Sequence, residues 1–130
     1  MNGFRDPDKA ALLLRLSLGT MYLAHAGLKL FTFGMAGTSA FFEAQGLPGW
    51  SAYAVVAAEA VGGVLLLLGI RAGLTAAALL PVLAGAAWVH LPNGWVFTAP
   101  GGGWEYPAFL AAASLVMLLL DWDGRRSVNP

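Results

Sequence analysis

His25, Glu59 and His90 are the residues of this chain best suited to chemistry, because each is ionisable and each falls in, or at the end of, a long apolar run. A charge at the bilayer centre costs about 2.5–3.5 kcal/mol even on gentle insertion scales, so such groups turn inward and find partners. Arg15, Lys29 and Glu105 are further ionisable residues in or at the edges of these runs. At 1.5 Å per residue, His25 lies roughly 9 Å from the outer end of its run and Glu59 roughly 13 Å from the outer end of the next. His90 closes the third run and Glu105 opens the fourth. His25, Lys29, Glu59, His90, Asn93 and Glu105 are therefore expected to converge in one half of the membrane, with Arg15 apart from them.

Imidazole titrates near neutrality and suits proton exchange with a bound ligand. The candidate catalytic set is therefore Glu59, His25 and His90: a histidine hydrogen-bonds a carbonyl, and Glu59 or Glu105 takes or gives a proton. Arg15, Tyr22, Lys29, Trp88, Asn93, Glu105 and Tyr106 form the candidate ligand pocket. His25 and Lys29 are four residues apart and share a helix face, and Tyr22, three before His25, can lend it a hydroxyl. Each residue also has a structural reading. Glu59 can lock two helices through an ion pair, Lys29 and Arg15 can snorkel to opposite interfaces, and Glu105 can complement a helix N-terminus. Two histidines can ligate haem, or join Glu59 and Glu105 around a metal, but no local ligand-spacing motif supports this and no metal is expected.

Four apolar runs must position these residues: about 10–31, 50–68, 74–90 and 104–120. Each is about the 20 residues that cross a bilayer, and each is apolar almost all round, unlike the one-sided helices of a soluble bundle. Asp6-Pro7-Asp8 reads as a helix start. The first run is too long for a signal-peptide core, and no small-residue cleavage site follows it. Between the first two runs, glycines and Pro48 mark a loop. Within that loop, Ser39 to Ala44 is expected to form a short interfacial helix. Gly69 to Gly73 reads as a tight turn, and Pro81 is tolerated inside the third run. Gly19, and Ala58, Gly62 and Gly63 around Glu59, predict close helix contacts. The expected fold is all-α: one domain over residues 1–130, a four-transmembrane-helix bundle.

Composition agrees with a membrane protein. The chain has 130 residues, 58% hydrophobic and 11% charged, against about 25% charged for a soluble domain, with a mean hydropathy of +0.70. The net charge of zero and the lack of a basic stripe give no reason to expect nucleic acid as a partner. The absence of cysteine excludes thiolate nucleophiles, disulfide exchange and Cys-ligated clusters in this chain. Arg5, Lys9, Arg71, Arg125 and Arg126 fall on one side and Lys29 alone on the other. By the positive-inside rule both termini are cytoplasmic. Trp50, Trp95 and Trp104 then belong to the outer interface and Trp122 to the inner one.

Several segments in register carry a resemblance. They are Leu14-Arg15-Leu16 with Gly19, His25-Ala26-Gly27-Leu28-Lys29-Leu30-Phe31, Phe41-Phe42, Gly46-Leu47-Pro48, Glu59-Ala60-Val61-Gly62-Gly63, Leu68-Gly69, His90 with Asn93-Gly94, and Gly103-Trp104-Glu105-Tyr106-Pro107. Together they resemble the DoxX family of bacterial membrane proteins over nearly the whole chain. The resemblance implies four spans in the bacterial cytoplasmic (inner) membrane and a link to membrane oxidoreductases, notably thiosulfate:quinone oxidoreductase subunits. It further implies quinone as ligand and oxidoreductase subunits as partners; apart from the resemblance, the small size of the chain leaves further copies of it open as partners. The alternative is a non-catalytic scaffold whose polar cluster fixes helix register. Small-solute transport is disfavoured by the size of the chain and the lack of an inverted repeat.

Overall fold

The computed structural model describes residues 5–96, 98–99 and 102–121. Asp6 caps the first helix, its Oδ1 accepting from the Lys9 backbone N–H at 3.1 Å, and Pro7 supplies a preset φ at the first helical position. Helix α1 (Pro7–Gly27) runs on into a π-helical turn, Leu28–Thr32. Then come α2 (Gly34–Ala44), α3 (Trp50–Leu68), α4 (Ala72–His90), a 3₁₀ turn at Leu91–Asn93, and α5 (Glu105–Leu120). No described residue is in a strand. Helix α4 continues through Pro81. The helix expected inside the first long loop is present as α2, longer than Ser39–Ala44 and starting at Gly34.

Three stretches, Pro7–Thr32, Trp50–Leu68 and Ala72–Asn93, are long and apolar enough to cross a membrane, and α5 is a shorter apolar helix of 16 residues. Their outward faces stay apolar: Leu13, Phe31, Val61, Leu68, Phe109 and Leu119 are all exposed. In water that surface would be unfavourable, whereas in acyl chains it is matched. The chain is thus a helical membrane bundle. Trp122, Arg125 and Arg126, which carry part of the orientation reading, lie outside the described residues.

Small residues set the packing. Helix α1 lies mainly against α3, and α4 against α5. At the α1–α3 crossing, a Cβ on Gly19 would sit 2.9 Å from the Gly63 carbonyl oxygen, and one on Gly63 would sit 3.0 Å from that of Gly19. The two backbones therefore touch, as small residues permit in lipid. Gly62, one residue on, faces Leu79 of α4. The core above and below includes Leu18, Tyr22, Leu66, Leu83, Leu110 and Met117, with Tyr22 Oη and Ser114 Oγ 2.7 Å apart across α1 and α5. The α3–α4 turn uses Gly69 at φ 76° as a C-cap. Asp121, just past α5, accepts from the Gly73 N–H at 3.2 Å and so ties the end of α5 to the start of α4.

A side chain at the α1–α3 crossing has nowhere to go. Gly63→Leu is expected to destabilise the bundle by about 1–3 kcal/mol or more through overpacking, read as a lower unfolding midpoint in detergent. Gly37→Ala, where an added Cβ meets nothing, should leave the midpoint unchanged or raise it; equal loss in both variants would contradict this packing.

Candidate functional site

The structure brings together most, though not all, of the residues singled out by type and spacing. Lys29 Nζ donates to Glu59 Oε1 at 2.8 Å. The Glu59 side chain is 6% exposed and that of Lys29 20%. Lys29 therefore does not snorkel outward; it folds back from the end of α1 onto α3. Lys29 lies in the π turn, four residues after His25 and on the same helix face. Thr38 of α2, buried, donates to the Lys29 carbonyl at 3.1 Å and so ties α2 to that turn. Ser39 donates to the Gly49 carbonyl at 3.1 Å, which fastens the other side of α2 to the start of α3.

Beside the ion pair lie three rings. Tyr106, in the first turn of α5, stacks on His25 with centroids 4.8 Å apart and planes 12° from parallel. Its edge contact with His90 has centroids 5.8 Å apart at 61°. His25 Nδ1 is 2.8 Å from the Met21 carbonyl oxygen. A carbonyl only accepts, so Nδ1 carries the hydrogen and Nε2 of the neutral ring is left as an acceptor. Nδ1 of His90 is buried and has no hydrogen-bond partner among the described residues. A buried imidazole nitrogen without a partner is costly, and such orphans mark sites that a water or ligand satisfies.

These groups border a cavity of about 170 Å³. His25, Lys29, Glu59, His90, Tyr106 and Tyr22 supply its polar wall, and the rest is apolar, from Phe41, Phe42 and Leu47 to Val55 of α3 and Pro81, Val82, Leu83, Gly85, Ala86 and Val89 of α4. An apolar pocket with a few convergent polar groups is the usual form of a small-molecule site. Among the described residues, no three His, Asp or Glu side chains are grouped to hold a metal ion. Tyr106 packs against both imidazoles, so a haem ligated by the pair would have to displace its ring.

Four expected pocket residues lie elsewhere. Trp88 is 57% exposed on the outer face of α4 and does not line the cavity; an all-apolar helix gives no sequence signal for which face turns inward. Asn93 donates to the Gly102 carbonyl at 2.8 Å and closes the loop after α4. Glu105 opens α5, one residue before Tyr106, and is not part of the lining. Arg15 is half-buried ten residues before His25 on α1, about 15 Å away along the axis, with its Nε buried and unpartnered. Sequence reasoning also missed Phe42 and Leu47, which the fold of the α2 segment lays over the cavity.

The ion pair has a thermodynamic signature. Lys29→Met leaves a buried carboxylate alone and is expected to destabilise by about 3–5 kcal/mol, whereas removing both charges in Lys29→Met/Glu59→Leu is close to neutral. Unfolding in mixed micelles separates the two, and a double variant no better than the single one would refute the pairing.

Comparison with known proteins follows the same lines. A Bacillus subtilis (strain 168) protein named "Putative oxidoreductase CatD" is 46% identical over 59 residues, which is 45% of this chain and 42% of that relative. The chain thus spans less than half the length of the curated relative it matches. No solved structure matches it. Residues 10–91, well over half of the chain, match the DoxX family and take in the ion pair and both histidines. The chain is a multi-pass membrane protein and belongs to the DoxX family.

Proposed function

We propose that the chain is a redox-associated membrane subunit that binds a quinone, or a similar small amphipathic headgroup, in the cavity between His25, Glu59, His90 and Tyr106. The observation that carries this reading is the buried, unpartnered Nδ1 of His90 on the wall of an otherwise apolar cavity. A quinone supplies two-electron, two-proton chemistry with a flat ring and two carbonyl oxygens. Nδ1 of His90, in the tautomer that bears the hydrogen, donates to one such oxygen. Nε2 of neutral His25 accepts from a hydroxyl, and as imidazolium it donates instead. Tyr106, stacked on His25, offers its remaining surface to a flat ring. Glu59, held by Lys29, is the reserve for a proton. Electrons come from oxidoreductase partner subunits, a role consistent with the name of the Bacillus relative.

The membrane is the bacterial cytoplasmic membrane in this reading, with the start of α1 and the α3–α4 turn on the cytoplasmic side. Arg5, Lys9 and Arg71 support that orientation. At the other end of α1, the charge of Lys29 is already balanced by Glu59. A second reading, a non-catalytic scaffold or assembly partner, is favoured by one fact: the Lys29–Glu59 pair is complete without a ligand and joins α1 to α3.

Titration of the purified protein with a quinone distinguishes these readings. Saturable binding is expected, weakened roughly fivefold in His90→Phe by the loss of about 1 kcal/mol of hydrogen bonding. The double variant Lys29→Met/Glu59→Leu, close to neutral in stability, should remove activity in a cell assay while expression stays normal. No saturable quinone binding, with no quinone carried through purification, would leave the scaffold reading in possession.

A further inference from the structure

The cavity lies between α3 and α4 on the α2 side of the Gly62–Leu79 contact. On one side its lining comes from Val55 and Glu59, and on the other from Val82, Ala86 and Val89. The polar wall is at its depth, where Glu59 and Tyr22 are buried. Three other lining residues, Phe41, Pro81 and Gly85, are exposed. The cavity therefore opens sideways, through the outer face of the bundle. Trp88 shares that exposed face, three residues beyond Gly85 and seven beyond Pro81, which are positions one helix stripe holds in common. The surroundings of this opening are apolar helix faces, which acyl chains cover in a bilayer.

Size sharpens the point. An apolar cavity of about 150 Å³ holds a benzene ring, so the 170 Å³ here has room for one substituted ring and none for a long chain. Gly85 is at the mouth, and an added Cβ there would meet nothing within 4 Å. We propose that the opening at Phe41, Pro81 and Gly85 is a lateral port: the ligand is a long-tailed membrane lipid with a single-ring headgroup, it enters from the acyl-chain region, and its tail runs out over Gly85 into lipid. This rests on the proposed small-headgroup site and adds its route and the chemical class of its ligand. Absence of a side chain at Gly85 keeps the port open.

Calorimetry on the protein in phosphatidylcholine nanodiscs, with empty nanodiscs subtracted, tests it with three probes: a decyl-tailed benzoquinone, its tail-less parent and a decyl-tailed phenol. In Gly85→Phe the tailed quinone is expected to bind about tenfold more weakly or worse, because a phenyl ring at the mouth bars the tail's way out while the headgroup is seated, and the tail-less parent loses clearly less. Ala84→Phe, on the exposed face of α4 but outside the lining, controls for bulk and should change neither. Unchanged binding of the tailed quinone in Gly85→Phe overturns the port. So does equal loss of the tail-less parent, because Gly85 would then act on the headgroup. Binding of the tailed phenol but of neither quinone, with the same loss in Gly85→Phe, supports the port and overturns the quinone reading. A wild-type protein that binds no tailed probe overturns both.

Discussion

An ammonium and a carboxylate, 2.8 Å apart, are held inside a bundle whose helices are apolar almost all round. Neither charge is tolerable alone at that burial, and together they still carry a large desolvation cost. The rest of the site is arranged so that the pair can form. Lys29 sits in the π turn at Leu28–Thr32, and Thr38 fixes that turn by donating to the Lys29 carbonyl. Gly19 and Gly63 bring α1 and α3 into backbone contact, which sets the separation that lysine and glutamate must bridge. One ion pair thus makes the end of α1, the placement of α2 and the α1–α3 crossing interdependent.

With Glu59 anchored, α3 and α4 touch at Gly62 and Leu79 and leave a cavity on the α2 side. Tyr106 reaches into that space from α5 and orders both imidazoles through ring contacts. Of the two imidazoles, His90 is the one with a buried Nδ1 that nothing among the described residues satisfies. The contrast is physical rather than positional: Nδ1 of one histidine is engaged by the Met21 carbonyl, and Nδ1 of the other is unpartnered. A site that must meet both a carbonyl and a hydroxyl form of one ligand is well served by one ring of each kind.

The helices were legible in the sequence because runs such as Trp50–Leu68 admit no competing pattern, and the short helix after the first run because Ser39 to Ala44 lacks the glycines around it. The convergence of His25, Lys29, Glu59 and His90 followed from depth alone, since helix rise converts residue number into height. Azimuth was another matter. Trp88 and Val89 are adjacent on an all-apolar helix, and nothing in their neighbours says that Val89 lines the cavity and Trp88 faces away. Lys29 was ambiguous for a different reason. A lysine near a helix end can snorkel or pair, and nothing in Leu28-Lys29-Leu30-Phe31-Thr32 tells the two apart. Arg15, set apart by depth but counted by type among the pocket residues, lies outside the cavity lining, its buried Nε unpartnered among the described residues.

Infrared difference spectroscopy reads Glu59 directly. Adding a long-tailed quinone to protein in nanodiscs should shift a carboxyl band that is absent in Glu59→Gln, and the shift should saturate at one quinone per chain. A carboxylate spectrum unchanged by quinone, in protein whose Glu59 band is otherwise assignable, would mean that the Lys29–Glu59 pair holds helices together and takes no part in binding.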